Sequence, residues 1–333
     1  MQSNCSPETG QGPDCPICRL AGASRFAVAR DRLFGIARGS FPLYRCAGCR
    51  TVFQHPMPGA AALGSYYPAE YWWSPRQRPG NVGLLSRLER IYREFVARDH
   101  VRFLRRCAAA TAGRPTLLDI GCGSGTFLHL ARQCGFEVCG MDVSAHAVLE
   151  AQQQYGLAVK QGEIGSLDWD GGRFDYISMF HVLEHLTDPR QALAYAGRLL
   201  KPGGSLIVQV PNAASIQAGC FGARWYGFDV PRHVMNFTPE SLLLLFEQAG
   251  FHPRLVRRFS LRDNPAALAS SIAIGLDPIG RRGRGKESSI LVEGAFESLY
   301  FGLVLLCFAP SLLESLCGRG ATLWAHATPA VAK

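Results

Sequence analysis

Residues 116–125 read TLLDIGCGSG. A short apolar run ends near Asp119, and glycines follow at positions 121, 123 and 125 before the helix-like segment TFLHLARQC. Glycine lets the backbone turn sharply and lets a ligand approach it closely, as at the carboxyl end of a parallel strand. The stretch therefore predicts the first strand–loop–helix unit of an α/β fold, with a ligand site at its loop.

The acids around this loop indicate which ligand it binds. The next strand, GFEVCGMDVS, ends at Asp142, and a carboxylate there can accept both ribose hydroxyls of an adenosine. Asp119 lies just before the first glycine, where it would repel a pyrophosphate but can hold an ammonium group. The spacing G-x-G-x-G also departs from the dinucleotide fingerprint. S-adenosylmethionine, with its amino-acid and nucleoside ends, fits these residues better.

Four segments then stand in a recognisable order, namely LLDIGCGSG, GMDVS, FDYISMFHVLEHLTDP and LLKPGGSLIVQVPN. Over residues 114–260 the chain resembles the class I S-adenosylmethionine-dependent methyltransferases. It most resembles the ubiquinone-type O-methyltransferases and the zinc-ribbon-bearing methyltransferases of bacterial saccharide clusters. The resemblance implies a Rossmann-like α/β fold with a seven-stranded sheet, closed by the strand ATLWAHATPAVAK. It implies methyl transfer but does not specify the acceptor.

The resemblance also implies which residues contact the cofactor: Asp119, Gly121, Cys122, Gly123, Gly125, Asp142, Glu163 and Phe180. Asp142 would bind the ribose. Glu163 would lie near the adenine amino group, where the family usually has aspartate. Phe180 and His181, at the end of the fourth strand, would border the sulfonium.

Two cysteine pairs near the N-terminus predict a zinc ribbon. The pairs are CPIC at Cys15–Cys18 and CAGC at Cys46–Cys49, on either side of short β-like runs. Two C-x-x-C turns bring four thiolates together at the tetrahedral spacing that zinc prefers. Because all four ligands are cysteines, the predicted metal ion is structural and has no open position for a substrate.

The net charge of +9 is uneven. Residues 1–110 carry 16 Lys and Arg against 7 Asp and Glu, whereas residues 111–260 carry 12 against 13. The basic N-terminal third could attract an anionic partner, or it could be a solvated arginine-rich face. The near-neutral catalytic part makes nucleic acid an unlikely substrate, because enzymes acting on nucleic acid usually carry a basic stripe beside the active site.

Residues 180–189, FHVLEHLTDP, leave three interpretations open. His181 could act as a general base or orient the acceptor. His181, Glu184 and His185 could bind a divalent metal, since the ubiquinone-type relatives have Glu, Glu and His at these positions. A His-Glu-His set is softer than the carboxylate-rich set that magnesium prefers. The third interpretation is that these residues only shape the turn.

The loop 222–241, GARWYGFDVPRHVMNFTPES, is expected to cover the acceptor. His233 is the second candidate catalytic residue, and Trp225, Tyr226 and Arg232 could also contact the acceptor. The same stretch predicts a helix start, with Thr238 as N-cap and Pro239 at the first helical position. Both interpretations can hold together.

Residues 261–316 form a helical insertion outside the family pattern. The apolar run LYFGLVLLCFAPSLLESL begins at Leu299, and its unbroken part is too short for a membrane span before Pro310 interrupts it. We expect a buried cap helix. The alternative is an interfacial helix that meets a membrane or a lipid-linked acceptor, with the basic run RRGRGK at 281–286 facing headgroups.

The predicted organisation is a ribbon at 1–60, a connector and amphipathic helix at 61–110, and a methyltransferase domain at 111–333. The aromatic residues of the connector (Tyr66, Tyr67, Tyr71, Trp72 and Trp73) are expected to pack at the domain junction or to line the acceptor site.

The favoured function is S-adenosylmethionine-dependent methylation of a small molecule such as a sugar, a quinone-like compound or another secondary metabolite, with histidine-assisted deprotonation. The alternatives are a ribosomal RNA methyltransferase whose ribbon binds RNA, and a catalytically silent scaffold. The N-terminus shows no signal peptide, which favours a cytoplasmic location with twelve reduced or metal-bound cysteines. The oligomeric state stays open.

Overall fold

The computed structural model describes residues 12–67, 84–108, 113–167, 169, 173–285 and 290–330. Eleven strands are assigned in this part of the chain: β1 (Ser24–Ala29), β2 (Phe41–Arg45), β3 (Val52–Gln54), β4 (Thr116–Ile120), β5 (Glu137–Asp142), β6 (Val159–Gln161), β7 (Phe174–Phe180), β8 (Leu200–Pro211), β9 (Met235–Asn236), β10 (Phe251–Arg257) and β11 (Thr322–Pro329).

The helices assigned in the same residues are α1 (Ala60–Ser65), α2 (Leu84–Cys107), α3 (Thr126–Gln133), α4 (Ala145–Tyr155), α5 (Pro189–Leu199), α6 (Ile216–Phe221), α7 (Pro239–Gln248), α8 (Asp263–Ile272), α9 (Pro278–Gly283) and α10 (Ile290–Leu316). Short 3₁₀ turns complete them, including one at Leu183–His185.

Seven strands form the central sheet in the order β10-β11-β8-β7-β4-β5-β6. The five strands from β8 to β6 are mutually parallel, and β11 runs antiparallel to both of its neighbours. The expected seven-stranded Rossmann-like sheet is therefore present, with the last strand of the chain inserted between β10 and β8. The strand order reverses at β4, so the loops after β4 and β7 open into one crevice, where α/β folds bind ligands.

Neighbouring residues of the central strands face opposite layers, because strand side chains alternate between the two sides of a sheet. Leu117 and Tyr176 face a core formed with α2, α3 and α4. Leu118 and Ile177 face a second core formed with α5 and α7. Burial on both sides explains why these strands are apolar throughout rather than at alternate positions.

The N-terminal ribbon shares a sheet with the catalytic part of the chain. Its strands form a four-stranded sheet in the order β1-β2-β3-β9, and β9 comes from the loop that follows β8. Val52 pairs with Asn236 and Phe53 with Met235. Thr51 Oγ1 also donates a hydrogen bond to the Asn236 carbonyl at 3.1 Å. The ribbon therefore holds one end of the loop that was expected to cover the acceptor.

The insertion forms the cap α8–α9–α10, and two expectations about it are wrong. Pro310 does not interrupt the apolar helix, because α10 runs unbroken from Ile290 to Leu316. Nor is α10 buried. Its span Val292–Leu316 is long and apolar enough to cross a membrane, yet only 17% of its most apolar part is buried. Proline removes one helical hydrogen bond, and the 27-residue helix tolerates that loss.

The aromatic connector is described only in part, since Tyr71, Trp72 and Trp73 lie outside the described residues. Tyr66 packs edge-on against Phe41 of β2, with ring centroids 6.0 Å apart. Tyr67 reaches the 3₁₀ turn after β7, where its hydroxyl lies 2.9 Å from His185 Nδ1. These two tyrosines therefore join the ribbon to the end of the central sheet.

Candidate functional site

The glycine loop joins β4 to α3 and is tied to the end of β5. Gly121 N and Cys122 N donate to the Met141 carbonyl at 2.8 and 3.1 Å. Gly123 N donates to Asp142 Oδ2 at 2.9 Å, and Ser144 N donates to Oδ1 at 2.9 Å. The Asp142 carboxylate is thus fixed at the end of β5 beside the crevice, and its contact with the ribose stays a prediction.

Each glycine of the loop meets a different requirement. All three have positive φ, between 52° and 78°. A Cβ at Gly121 would lie 2.6 Å from Val182, and one at Gly125 would lie 2.5 Å from Leu157, so close packing excludes a side chain at both. A Cβ at Gly123 would meet nothing within 4 Å. Gly123 therefore borders open space beside Asp142, which fits an S-adenosylmethionine nucleoside.

Asp119 is buried below the loop, and its surroundings suit a cationic ligand. Burial raises the pKa of this carboxyl to about 7, although Ser178 Oγ donates to Oδ1 at 2.6 Å and opposes the shift. The negative charge of Asp142 raises the pKa further. An ammonium group bound nearby would offset this cost of charging Asp119. The residues present therefore fit the amino-acid end of S-adenosylmethionine.

The remaining residues predicted to bind the cofactor differ in burial and in surroundings. Cys122 is buried within the loop, and Glu163 is exposed just after β6. The Phe180 ring packs in an aromatic cluster, 4.5 Å from the His100 ring and 5.0 Å from the Phe127 ring. Their contacts with the cofactor stay predictions.

His181 follows β7 and lies between two carboxylates. Its Nδ1 is 3.0 Å from Glu184 Oε1, and its Nε2 is 3.3 Å from Asp263 Oδ2. Burial alone would lower its pKa, but the two carboxylates outweigh it and raise the pKa to about 10. His181 is therefore an imidazolium at neutral pH and has no lone pair to accept a proton. Of the two catalytic roles predicted for His181, this geometry favours orienting the acceptor over acting as general base, and both stay predictions.

The His181 backbone is fixed as firmly as its ring. Its φ of 57° lies in the left-handed region, which is costly for a residue other than glycine. Its N–H donates to the Gln209 carbonyl at 2.9 Å. The Gln209 side chain donates to Asp263 at 2.5 Å and lies 2.8 Å from His100 Nε2. A polar chain thus crosses from α2 through β8 to the cap.

Glu184, His185 and His233 converge beside His181. One ligand atom from each of the three lies within 4.8 Å of the others. The possible metal-ligand group therefore contains Glu184, His185 and His233, whereas His181 contacts Glu184 but is not a member of that group. Glu184 is fully buried, and its Oε2 has no hydrogen-bond partner among the described residues.

The two histidines of this group are held in defined orientations. His233 Nδ1 lies 2.7 Å from the Gly227 carbonyl, so it must donate, and the neutral ring keeps its lone pair on Nε2. Burial lowers the pKa of His185 to about 4, with help from His233, so this ring is neutral at pH 7. The two rings meet edge to face, with centroids 4.6 Å apart.

Arg232 is a structural residue and does not face the acceptor. Its side chain is fully buried, and Nη2 pairs with Asp31 at 2.8 Å and with Asp229 at 2.6 Å. Nη1 donates to the Tyr66 carbonyl at 3.1 Å. Arg232 thereby ties the ribbon segment to the acceptor loop next to His233. Trp225 is also buried, in contact with Phe228, rather than lining the site.

The four predicted zinc ligands come together. Cys15 Sγ lies 3.5 Å from Cys49 Sγ, and Cys18 Sγ lies 3.4 Å from Cys46 Sγ, with all four atoms within 4.8 Å of one another. Thiolates at about 2.3 Å from a tetrahedral zinc ion are separated by similar distances. Just beyond this cluster, Thr238 Oγ1 donates to the Cys49 carbonyl at 3.1 Å. Thr238 also caps α7, as the sequence predicted.

Sequence reasoning missed Asp263 and Asp31. Asp263 lies in the insertion that seemed foreign to the fold, yet its carboxylate contacts His181. Asp31 lies in the ribbon segment and pairs with Arg232, about two hundred residues later. No local pattern marks either partner. An aspartate at the start of the predicted helix α8 reads only as a favourable helix terminus.

Comparison with known proteins agrees with this geometry. Residues 92–255 match the family described as Methyltransferase domain. A ubiquinone biosynthesis O-methyltransferase from Cereibacter sphaeroides is 30% identical over 219 residues, covering 62% of this chain and 86% of the relative. One of the same name from Caulobacter vibrioides is 30% identical over 245 residues, covering 70% of this chain and 91% of the relative.

Among solved structures, an S-adenosylmethionine dependent methyltransferase from Mesorhizobium loti matches with a TM-score of 0.43 at 16% identity. It covers 68% of this chain and 95% of its own. The sequence relatives, the glycine loop and the two acids that flank it lead to one conclusion. The chain belongs to the class I S-adenosylmethionine-dependent methyltransferases.

Proposed function

We propose that the protein methylates a hydroxyl group of a small-molecule acceptor, with His233 as the general base. The observation that carries this proposal is the fixed orientation of His233, whose Nδ1 donates to the Gly227 carbonyl and leaves Nε2 able to accept a proton. The names of the curated relatives support a quinone-like phenol as the first acceptor to test.

S-adenosylmethionine, when bound, supplies an electrophilic methyl group. The loop from Gly121 to Gly125 and the Asp142 carboxylate would hold its nucleoside end, and Asp119 would face its ammonium group. Transfer in line needs the acceptor oxygen close to the methyl carbon, so the protein acts mainly by alignment. A neutral hydroxyl must also lose its proton, and removal by a positioned base contributes about 10²- to 10⁴-fold in rate.

His181 positions this machinery. Its charge is balanced by Glu184 and Asp263, so it can hold the turn after β7 against the cap without repelling a sulfonium. Glu184 in turn lies beside His185 and His233. Loss of His181 should therefore displace the base indirectly, and a residue with a similar hydrogen bond should restore part of the activity.

A second role for the same group is favoured by the orphaned Oε2 of Glu184. Glu184, His185 and His233 could hold a divalent cation that binds the acceptor oxygen. One carboxylate and two imidazoles suit manganese, iron or zinc better than magnesium. Neutral imidazole is the metal-binding form, and burial keeps His185 in that form at pH 7 by lowering its pKa to about 4.

Two other interpretations carry less support. A catalytically silent scaffold does not fit the complete glycine loop with both of its acids, Asp119 and Asp142. An RNA acceptor would need a basic surface at the crevice, whereas the carboxylates of Glu184 and Asp263 lie beside the carboxyl end of β7. RNA binding and a cytoplasmic location stay predictions.

The experiment uses the full-length protein, S-adenosylmethionine and a panel of catechols and demethylated quinones, with methylated product measured by mass spectrometry. His233→Ala should lower kcat by about 100-fold or more. Its dissociation constant for S-adenosylmethionine should change less than twofold. Unchanged kcat in this variant would refute the base role.

The matched control is His129→Ala, since His129 lies on α3 outside the group and its loss should leave kcat unchanged. Dialysis against EDTA separates the two roles of the group. An unchanged rate supports the base role alone. A rate that is lost while the protein keeps one zinc ion per chain, and that manganese or iron restores, supports the cation role.

A further inference from the structure

The outer face of α10 exposes a continuous apolar strip. Leu306 is 76% exposed, Leu313 is 63% exposed and Leu316 is 75% exposed. The other large apolar side chains exposed on this half of the helix are Leu299, Phe301, Leu305, Phe308 and Leu312. A strip this long is unusual on a soluble surface and indicates that something covers it.

No exposed charge interrupts the strip. Glu314 is the one acidic residue between positions 299 and 316, and it is buried. Its carboxylate accepts hydrogen bonds from Gln217 N at 3.0 Å and Gln217 Nε2 at 2.9 Å. The polar Glu314 side chain thus faces inward and the leucines face outward, which is the reverse of the pattern in an amphipathic helix on a soluble protein.

The middle and the C-terminal end of α10 are tied to the same domain, so this part of the helix lies along the protein surface. Near its middle, the Tyr300 hydroxyl lies 2.9 Å from Ser270 Oγ of α8. At its C-terminal end, Ser315 Oγ donates to the Arg258 carbonyl at 2.9 Å. Six residues after α10 ends, β11 begins in the central sheet. A spanning orientation would require one end to leave this domain.

Arginines flank the strip. At its N-terminal side the Arg281 guanidinium lies 3.6 Å from the centre of the Phe296 ring. Beyond its C-terminal end, a cavity of about 400 Å³ is lined by Arg50, Arg258 and Arg319, with Glu240 as the one acid among its lining residues. An apolar strip with guanidinium groups at its ends matches the boundary between acyl chains and anionic headgroups.

We propose that α10 docks in the plane of an anionic lipid bilayer, with its leucine strip among the acyl chains and the arginines on headgroup phosphates. A second copy of this chain suits the strip less well. Antiparallel pairing of two α10 helices would bring Arg281 against Arg319, and parallel pairing would bring each arginine against its equal. The inference does not depend on which acceptor is methylated.

Docking would also bring the membrane to the acceptor side of the fold. Helix α8 packs against α10, and it begins with Asp263, whose carboxylate contacts His181. The docked helix is therefore one helix away from the residues that position the candidate base. A lipophilic acceptor could reach the crevice from the bilayer without crossing water.

The test is co-sedimentation of the full-length protein with vesicles of phosphatidylcholine alone or mixed with phosphatidylglycerol. Wild type should bind the mixed vesicles. The double variant Leu306→Glu/Leu313→Glu should bind more than tenfold more weakly. Arg319→Gln should weaken binding to the mixed vesicles by about fivefold, the effect of one arginine near an anionic surface, and should not change binding to neutral vesicles.

The matched control is Leu149→Glu/Val256→Glu, which adds the same two charges at exposed apolar positions on α4 and β10. It should bind like wild type. Circular dichroism and S-adenosylmethionine binding establish that every variant is folded. The proposal is overturned if wild type ignores anionic vesicles, or if the α10 variant binds as well as the control. A lipid-free dimer that the α10 variant dissociates, without vesicle binding, would identify a second copy as the occupant.

Discussion

The two sides of the crevice are built in different ways. On the cofactor side, Asp119, the three glycines and Asp142 lie within two consecutive strand–loop–helix units. On the proposed acceptor side, Glu184, His233 and Asp263 come from three separate segments, and the ribbon and cap hold them together. The cofactor side depends mainly on local chain geometry, whereas the acceptor side depends on long-range contacts. A substitution on one side should therefore impair the function of that side and leave the function of the other side intact.

The largest expected effect comes from removing a zinc ligand. Cys49→Ser should lower the zinc content from one ion per chain and unfold the ribbon, because a structural zinc site in zinc-finger peptides is worth about 10 to 16 kcal/mol. Since β3 pairs with β9, the loop that carries His233 should lose order as well. We expect methyl transfer to be lost while S-adenosylmethionine still binds.

Metal analysis, calorimetry and hydrogen exchange measure these three effects. Cys134→Ser is the control, because Cys134 is an exposed thiol at the end of α3. It should leave zinc content and activity unchanged. Equal loss of cofactor binding and activity in Cys49→Ser would contradict the independence of the two sides.

The next effect concerns the buried arginine between ribbon and loop. Arg232→Met leaves Asp31 and Asp229 without their cation, and breaking a buried ion pair costs about 3 to 5 kcal/mol. The free energy of unfolding in urea should fall by that amount. Arg98→Met, at the exposed pair with Glu94, should cost less than about 1 kcal/mol. Similar losses in both variants would show that Arg232 does not join the two segments.

A third expected effect is that the affinity for the cofactor depends on pH through the ionisation of Asp119. The pKa of Asp119 is about 7 in the folded protein and 3.8 ordinarily, so the unfolded chain loses this proton at a lower pH than the folded protein does. The contribution of Asp119 to stability without cofactor therefore falls as pH rises from about 4 to 7. Binding of an ammonium group favours the carboxylate, so affinity for S-adenosylmethionine should rise up to about tenfold per unit towards pH 7.

Calorimetric titration between about pH 5 and pH 8 measures that slope. Asp119→Asn carries no charge at any pH in this window, so its affinity should be lower and nearly flat. If the variant kept the slope of wild type, another group would be responsible for it.

The smallest expected effect comes from two glycine substitutions, which distinguish the cost of backbone strain from the loss of a cofactor contact. Gly123→Ala and Gly156→Ala place a Cβ at φ of 52° and 58°, and neither Cβ meets an atom within 4 Å. Each should lower the free energy of unfolding by about 1 kcal/mol, the cost of a left-handed L-residue. Only Gly123→Ala should weaken S-adenosylmethionine binding, because Gly156 caps α4 away from the crevice. Equal affinity in both variants would remove Gly123 from the cofactor site.

The same contrast explains which expectations from the sequence were correct. The Thr238 cap was predictable because it is a local pattern. The charge of His181 was not, because it depends on Asp263, which lies in an insertion with no family pattern. The exposure of α10 was also missed, since an apolar helix can be core or surface and its sequence does not say which.

By itself the sequence determined the α/β sheet, the cofactor class and the four cysteines that can hold zinc, because each follows from residues close together in the chain. Only the tertiary structure decided that Glu184 and His185 meet His233, that Arg232 is a buried tie, and that α10 faces outward. These features depend on which distant segments pack together and on the burial that results. Burial and neighbouring charges, more than residue type, set the protonation of His181, His185 and Asp119.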